Sequence, residues 1–164
     1  MRAETLARMC ETLDIPMAVV TAFDGREHSG CLVGFHTQCS IAPPRWLVSI
    51  SKENHTYRVA LAADWLVVHF LRADQHDLAL LFGGETGDAI GPENKFERTP
   101  WHTGPGNTPI LDGCDWVAGR LIERIDAGDH VAHILDITDG RCERAGAPRL
   151  GFNAARDIRP GHRP

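Results

Sequence analysis

Between Met17 and Thr138 the chain is written as short apolar or β-branched runs separated by turn residues, and no long helical stretch lies between them. Parallel strands need crossovers of a dozen or more residues, usually helical, so this spacing points to antiparallel strands. Met17–Phe23 (MAVVTAF) is followed by Asp24-Gly25, a turn pair, and by an extended run near Cys31–Phe35. Pro43-Pro44 interrupts the chain, and Trp46–Ser51 then alternates, with Trp46, Val48 and Ile50 on one face and Ser49 and Ser51 on the other. Trp65–Leu71, Trp116–Ile125 and His130–Thr138 supply three more strands, the last two joined by a turn at 126–129. Helices are short. Leu6, Met9, Cys10 and Leu13 fall on one helical face, Thr56–Ala62 reads as a second helix, and Asp74 as N-cap of a third, Gln75–Phe82. The expectation is a mainly β protein: a six-stranded β-barrel with peripheral helices.

The 164 residues suit a single domain, 1–164, with an N-terminal helix in 1–14 and a polar C-terminal extension, 149–164, on the surface. A net charge of −5 argues against nucleic acid as a partner. The five cysteines include no C-x-x-C pair, so neither a disulfide framework nor a zinc site of ordinary spacing is expected. Without an apolar leader or an eighteen-residue apolar run, the chain reads as cytoplasmic, with no membrane association. Gly83 to Thr108, rich in Gly, Pro, Asn and Thr, reads as a functional lid or mobile segment with a short helix around Lys95-Phe96.

Ser51-Lys52-Glu53-Asn54-His55-Thr56 stands where a strand meets a helix. Two hydroxyls, an amide, an ammonium and the N–H groups of a helix start are what a phosphate monoester needs. Read alone, the segment is more commonly a capped helix start.

It does not stand alone. Val19–Tyr57 carries Gly30, Thr37, Ser40, Pro43-Pro44 and Asn54-His55-Thr56, in an order that resembles the first half of the flavin reductase-like domain family. Asp74-Gln75 to Phe82, Lys95-Phe96, Pro109-Ile110-Leu111 and Gly128-Asp129-His130 continue the likeness, which runs from about Ile15 to Thr138. The resemblance implies a Greek-key FMN-binding split barrel that forms a homodimer. It implies reduction of flavin (FMN, with FAD possible) by transiently bound NADH or NADPH, to supply a flavin-dependent monooxygenase. It places Val33, Gly34, Phe35, His36 and Thr37 beside the flavin ring, and Ser51, Lys52, Asn54, His55 and Thr56 at the phosphate. His130 is the candidate catalytic residue, near flavin and nicotinamide. Leu32, Gly34 and His69 depart from the usual Thr, Asn and Asn.

Other readings stay open. A split-barrel reductase using F420 or FMN directly on an organic substrate, or a non-enzymatic electron-transfer flavoprotein, fits the same residues. His130 could equally begin a strand with no further role. His133, three residues on, faces away from it, so the two do not form a metal pair. The other histidines are scattered, and no metal site is expected. Trp101-His102 could cover the ligand or pack the loop. Gly83-Gly84-x-x-Gly87 follows a helix, so it is not a dinucleotide fingerprint.

Overall fold

The computed structural model describes residues 2–84 and 92–159. Gly87, the centre of the expected 83–108 lid and the last five residues of the expected C-terminal extension lie outside these. An N-terminal helix α1 (Arg2–Leu13) precedes β1 (Ala18–Phe23), β2 (His28–Val33), β3 (His36–Ser40) and β4 (Arg45–Ser51). Helix α2 (His55–Ala62), β5 (Trp65–Phe70) and α3 (His76–Gly84) follow, then a short α4 (Pro92–Glu97). The chain continues through β6 (Trp101–Thr103), β7 (Pro109–Leu111), β8 (Asp115–Asp126), β9 (His130–Arg141) and α5 (Phe152–Ala155).

The structure is mainly β. Seven strands form one antiparallel sheet in the order β2-β1-β5-β8-β9-β4-β3, and β6 pairs with β7 in a separate ribbon. Ala18, Val20 and Cys31 from one end of the large sheet share a core cluster with Val48 and Ile50 from near its other end. The sheet must therefore curl, with Val59 and Ala60 of α2 and Ala63 just after it joining the enclosed cluster. Curling is helped by two register shifts in the β8–β9 hairpin, because a bulge bends its strand and raises the local twist. At one of them Gly119 lies so near the β9 backbone that a Cβ would meet Asp136 O at 2.9 Å. A second cluster packs α3, α4 and the C-terminal segment against β1 through Val19, Phe82, Phe96, Leu111, Leu150 and Ala155.

Three expectations need correction. The count of six strands omits β3, whose residues His36–Ser40 form a largely exposed edge with no apolar alternation, and the three-residue strands β6 and β7. Asp74 does not cap α3; its carboxylate accepts from Arg72 Nε at 3.0 Å. Leu150 and Ala155, expected in a surface extension, belong to the core. Leu150 is buried, its carbonyl accepts from Met17 N and its N–H donates to Leu71 O, so it is laced to both flanks of the core. No helix among the described residues is long and apolar enough to cross a membrane.

Candidate functional site

Where β4 ends, Ser51–Asn54 forms a tight turn. Asn54 N–H donates to Ser51 O at 3.0 Å, and Glu53 N–H reaches Ser51 Oγ at 3.3 Å. Asn54 has the extended backbone of an N-cap, and its Oδ1 accepts from Thr56 N–H at 2.9 Å. Thr56 is buried, with its hydroxyl 2.9 Å from Ser29 Oγ on β2.

Lys52 and His55 of this segment are paired with acids. Lys52 Nζ lies 2.8 Å from Asp126 Oδ2, and its backbone N–H donates to Asp129 O at 3.0 Å. On the other side, His55 Nε2 is 3.1 Å from Glu27 Oε2 in the β1–β2 turn. His130 opens β9 opposite Ser51 in register, and its Nδ1 lies 2.7 Å from Asp129 Oδ1. The hydrogen bond from Lys52, then that from Gly128 N–H, holds the Asp126 carboxyl below the usual carboxylate range; His130 does the same for Asp129.

Strand register settles which candidates share a face. Directly opposed residues in antiparallel strands point the same way. Ser51 opposes His130, Ser49 opposes Ala132, Leu47 opposes Ile134, and Thr37 opposes Leu47. Thr37, Ser51 and His130 therefore lie on the outer face. Phe35 joins them: its carbonyl accepts from Ser49 N–H at 2.8 Å, its side chain is 56% exposed, and its ring centroid is 5.1 Å from that of His130. Gly34 lies beside Met17, whose sulfur a Cβ would meet at 3.4 Å.

The remaining candidates turn inward. Val33 belongs to the core, and His36 stacks on Trp46 with its Nε2 2.7 Å from Pro16 O. Phe35, Ser51 and His130, drawn from three separated stretches, thus meet at one end of the sheet, with Lys52 in the turn that follows Ser51 and Thr37 on the same face farther along the strands. Their surface combines an exposed aromatic ring with hydroxyls and a charged turn. That composition fits a ligand planar at one end and anionic at the other, as a flavin mononucleotide is.

The other histidines serve the interior. His69 is fully buried between Val19 O (3.0 Å from Nδ1) and Leu111 N–H, which donates to Nε2 at 3.0 Å, so Nδ1 carries the proton. Burial pushes its pKa down to about 4. His133 is also buried, faces the core as Val48 opposite it does, and is likewise pushed down to about 4 by burial. Trp101 packs: its Nε1 donates to Phe96 O at 3.1 Å, and its ring lies against Phe96 and His28. Among the described residues no three His, Cys, Asp or Glu side chains gather as metal ligands would.

A cleft of about 140 Å³ lies at the opposite end of the β8–β9 hairpin, lined by Arg72, His102, Asp112, Asp115, Arg141 and Arg144 among others. Its acids are spent on its bases: His102–Asp112 at 2.6 Å and Arg149–Asp115 at 2.8 Å. The exposed surface around His130 has the better chemistry for a ligand, although it is shallower. Sequence reasoning missed Glu27, Asp126 and Asp129 as members of this surface. Their signal was present only as turn composition, since the partners of Glu27 and Asp126 lie 28 and 74 residues away.

The sequence profile of the flavin reductase like domain matches residues 11–159. The reductase subunit of stachydrine N-demethylase from Rhizobium meliloti is 28% identical over 124 residues, covering 73% of this chain and 51% of that protein. An FMN reductase (NADH) from Ancylobacter novellus is 32% identical over 121 residues, covering 72% of this chain and 64% of that one. The chain thus spans about half to two thirds of the length of these relatives. The NADH:FAD oxidoreductase of Streptomyces globisporus, solved with NAD and FAD fragments, superposes with a TM-score of 0.75 over 92% of this chain and 88% of that one. At 21% identity that likeness speaks to the fold.

Proposed function

The chain belongs to the flavin reductase like domain family, and on that footing we propose that it is an NAD(P)H-dependent flavin reductase acting on FMN, with FAD as the alternative flavin. The observation that carries the reading is the convergence of Phe35, Ser51 and His130 on one face at one end of the sheet, beside the turn that carries Lys52. A relative named FMN reductase (NADH) supports the choice of flavin and of nicotinamide donor.

When bound, FMN accepts a hydride from the nicotinamide ring, chemistry that belongs to the cofactor. The protein positions the two rings, and no side-chain nucleophile is required. The segment from Val33 to Thr37 runs beside the flavin ring, with Phe35 and Thr37 presenting side chains and the others acting through the backbone. The 51–56 segment, from Ser51 through Lys52, Asn54 and His55 to Thr56, holds the phosphate. Ser51 and Lys52 do so directly, while Thr56 and Asn54 fix the helix start. His130, oriented through Nδ1 by Asp129, offers Nε2 to the nicotinamide amide or a dinucleotide phosphate.

The curled sheet acts as a split barrel and the chain as one domain. It works as a homodimer: Leu6, Met9 and Leu13 of α1 are 65%, 56% and 65% exposed, an apolar stripe that a second copy covers. The relative that is a demethylase reductase subunit supports delivery of reduced flavin or electrons to a partner monooxygenase. The setting is the cytoplasm, where NADH and NADPH are supplied. Stopped-flow mixing of the flavin-loaded protein with NADH or NADPH tests the reading. Rapid bleaching of the flavin band is expected, and a band that persists with both donors overturns it.

A further inference from the structure

Lys52 and His55 of the 51–56 segment each already face an acid. Lys52 is held by Asp126 at 2.8 Å from the β8–β9 turn, and His55 by Glu27 at 3.1 Å from the β1–β2 turn. The neutral donors are engaged too: Thr56 N–H by Asn54, the Thr56 hydroxyl with Ser29, and Glu53 N–H by Ser51 Oγ. Asp129 adds a third carboxylate, 2.7 Å from His130, and exposed Glu53 follows Lys52 in the chain. A phosphate dianion arriving here meets donors already occupied, two of them by carboxylates that repel it. It must displace a carboxylate to reach either Lys52 or His55. Such exchanges are close to neutral in energy, because one charge-assisted bond replaces another while an anion is turned loose nearby.

We propose that Glu27 and Asp126 are internal competitors for the flavin phosphate, and that they keep flavin an exchangeable substrate at this site rather than a resident group. This rests on the assignment of 51–56 to the phosphate. Both carboxylates are suited to the role. Asp126 is well exposed, with a side chain 73% accessible, so Lys52 can leave it for a ligand at little cost. Glu27 sits in a turn fixed by its own backbone: Glu27 N–H donates to Asp24 Oδ1 at 2.9 Å, so its side chain is not needed to hold the turn. Neutralising either one loosens its hold on Lys52 or His55 and removes a repulsive charge without dismantling the segment.

The test compares FMN with riboflavin, which has the same ring and no phosphate, by flavin fluorescence titration of the full chain and of Asp126→Asn, Glu27→Gln and the double variant. The amide introduced by Asp126→Asn retains an oxygen to accept from Gly128 N–H, which Asp126 binds at 2.9 Å, and the melting temperature of each variant checks the fold. FMN is expected to bind about fivefold more tightly to each single variant, the most that one exposed ion pair commonly contributes, and more tightly still to the double variant. Riboflavin affinity is expected to stay unchanged. If the native chain prefers FMN over riboflavin but the variants leave FMN affinity unchanged or weaken it, the competitor role is wrong and the phosphate assignment stands. If riboflavin tightens as much as FMN, the carboxylates act on the ring and the proposal falls. If FMN and riboflavin bind alike to the native chain and to every variant, the phosphate assignment itself fails and takes the proposal with it.

Discussion

The two ends of the β8–β9 hairpin use the same side chains to opposite ends. At one end Asp115 is buried, accepts from Arg149 Nη2 at 2.8 Å and from the N–H groups of Glu143 and Arg144, and ties the segment after β9 onto the sheet. Its neighbourhood includes His69, whose two ring nitrogens join β1 to β7. At the other end Asp126 and Asp129 are 73% and 86% exposed and pair with Lys52 and His130 in the open. A buried pair that loses one partner leaves an uncompensated charge, whereas an exposed pair is replaced by water or a ligand. The closed end is therefore fixed structure, and the open end can exchange partners. That is the property a substrate site requires.

The largest test of this contrast is Asp115→Ala. It strands Arg149 and two backbone N–H groups, and should cost about 3 kcal/mol of unfolding free energy by urea titration. A loss as small as that of an exposed pair would erase the distinction between the ends. His69→Leu follows, at about 2–3 kcal/mol, since it leaves Val19 O and Leu111 N–H buried without partners. His133→Leu is its control. Neither ring nitrogen of His133 makes a hydrogen bond of good geometry among the described residues, so the apolar replacement should cost far less than His69→Leu in the same titration.

Acid sharpens the point further. His69 and His133 are held near pKa 4 in the folded chain, below the ordinary value of 6.5, so unfolding releases them to take up protons. Their contribution is complete above about pH 6.5 and is lost as pH falls from there towards 4, at about 1.4 kcal/mol per pH unit for each histidine. Urea midpoints measured across that window should show the slope, and His133→Leu should remove its share. The smallest effect belongs to the open end. Asp126→Asn should leave the urea midpoint nearly unchanged, and a clear loss would mean that this pair is structural after all.

Much of this molecule was legible in the chain. The runs Met17–Phe23, Trp46–Ser51 and Trp65–Leu71 became β1, β4 and β5 because alternation and β-branching are local steric preferences. The inward faces of Trp46, Val48 and Ile50 followed from the same period. β3 was not legible, because its polar edge has no alternating pattern to read. Leu150 was misplaced on the surface because a single buried residue in a polar stretch shows no periodicity, and only the β1 and β5 edges reveal that it is clamped. Of the candidate site residues, Ser51 and His130 lie on the outer face, whereas Val33, His36 and Thr56 turn inward.

By itself the sequence determined the antiparallel strand series, the capped start of α2 at Asn54 and the family to which the chain belongs. These depend on neighbours along the chain and on the order of short motifs. Only the tertiary structure decided which of the named residues share the outer face, and that Glu27 and Asp126 stand against His55 and Lys52. Those are pairings between distant turns, and a carboxylate in a turn carries no mark of the cation that the fold will bring to it.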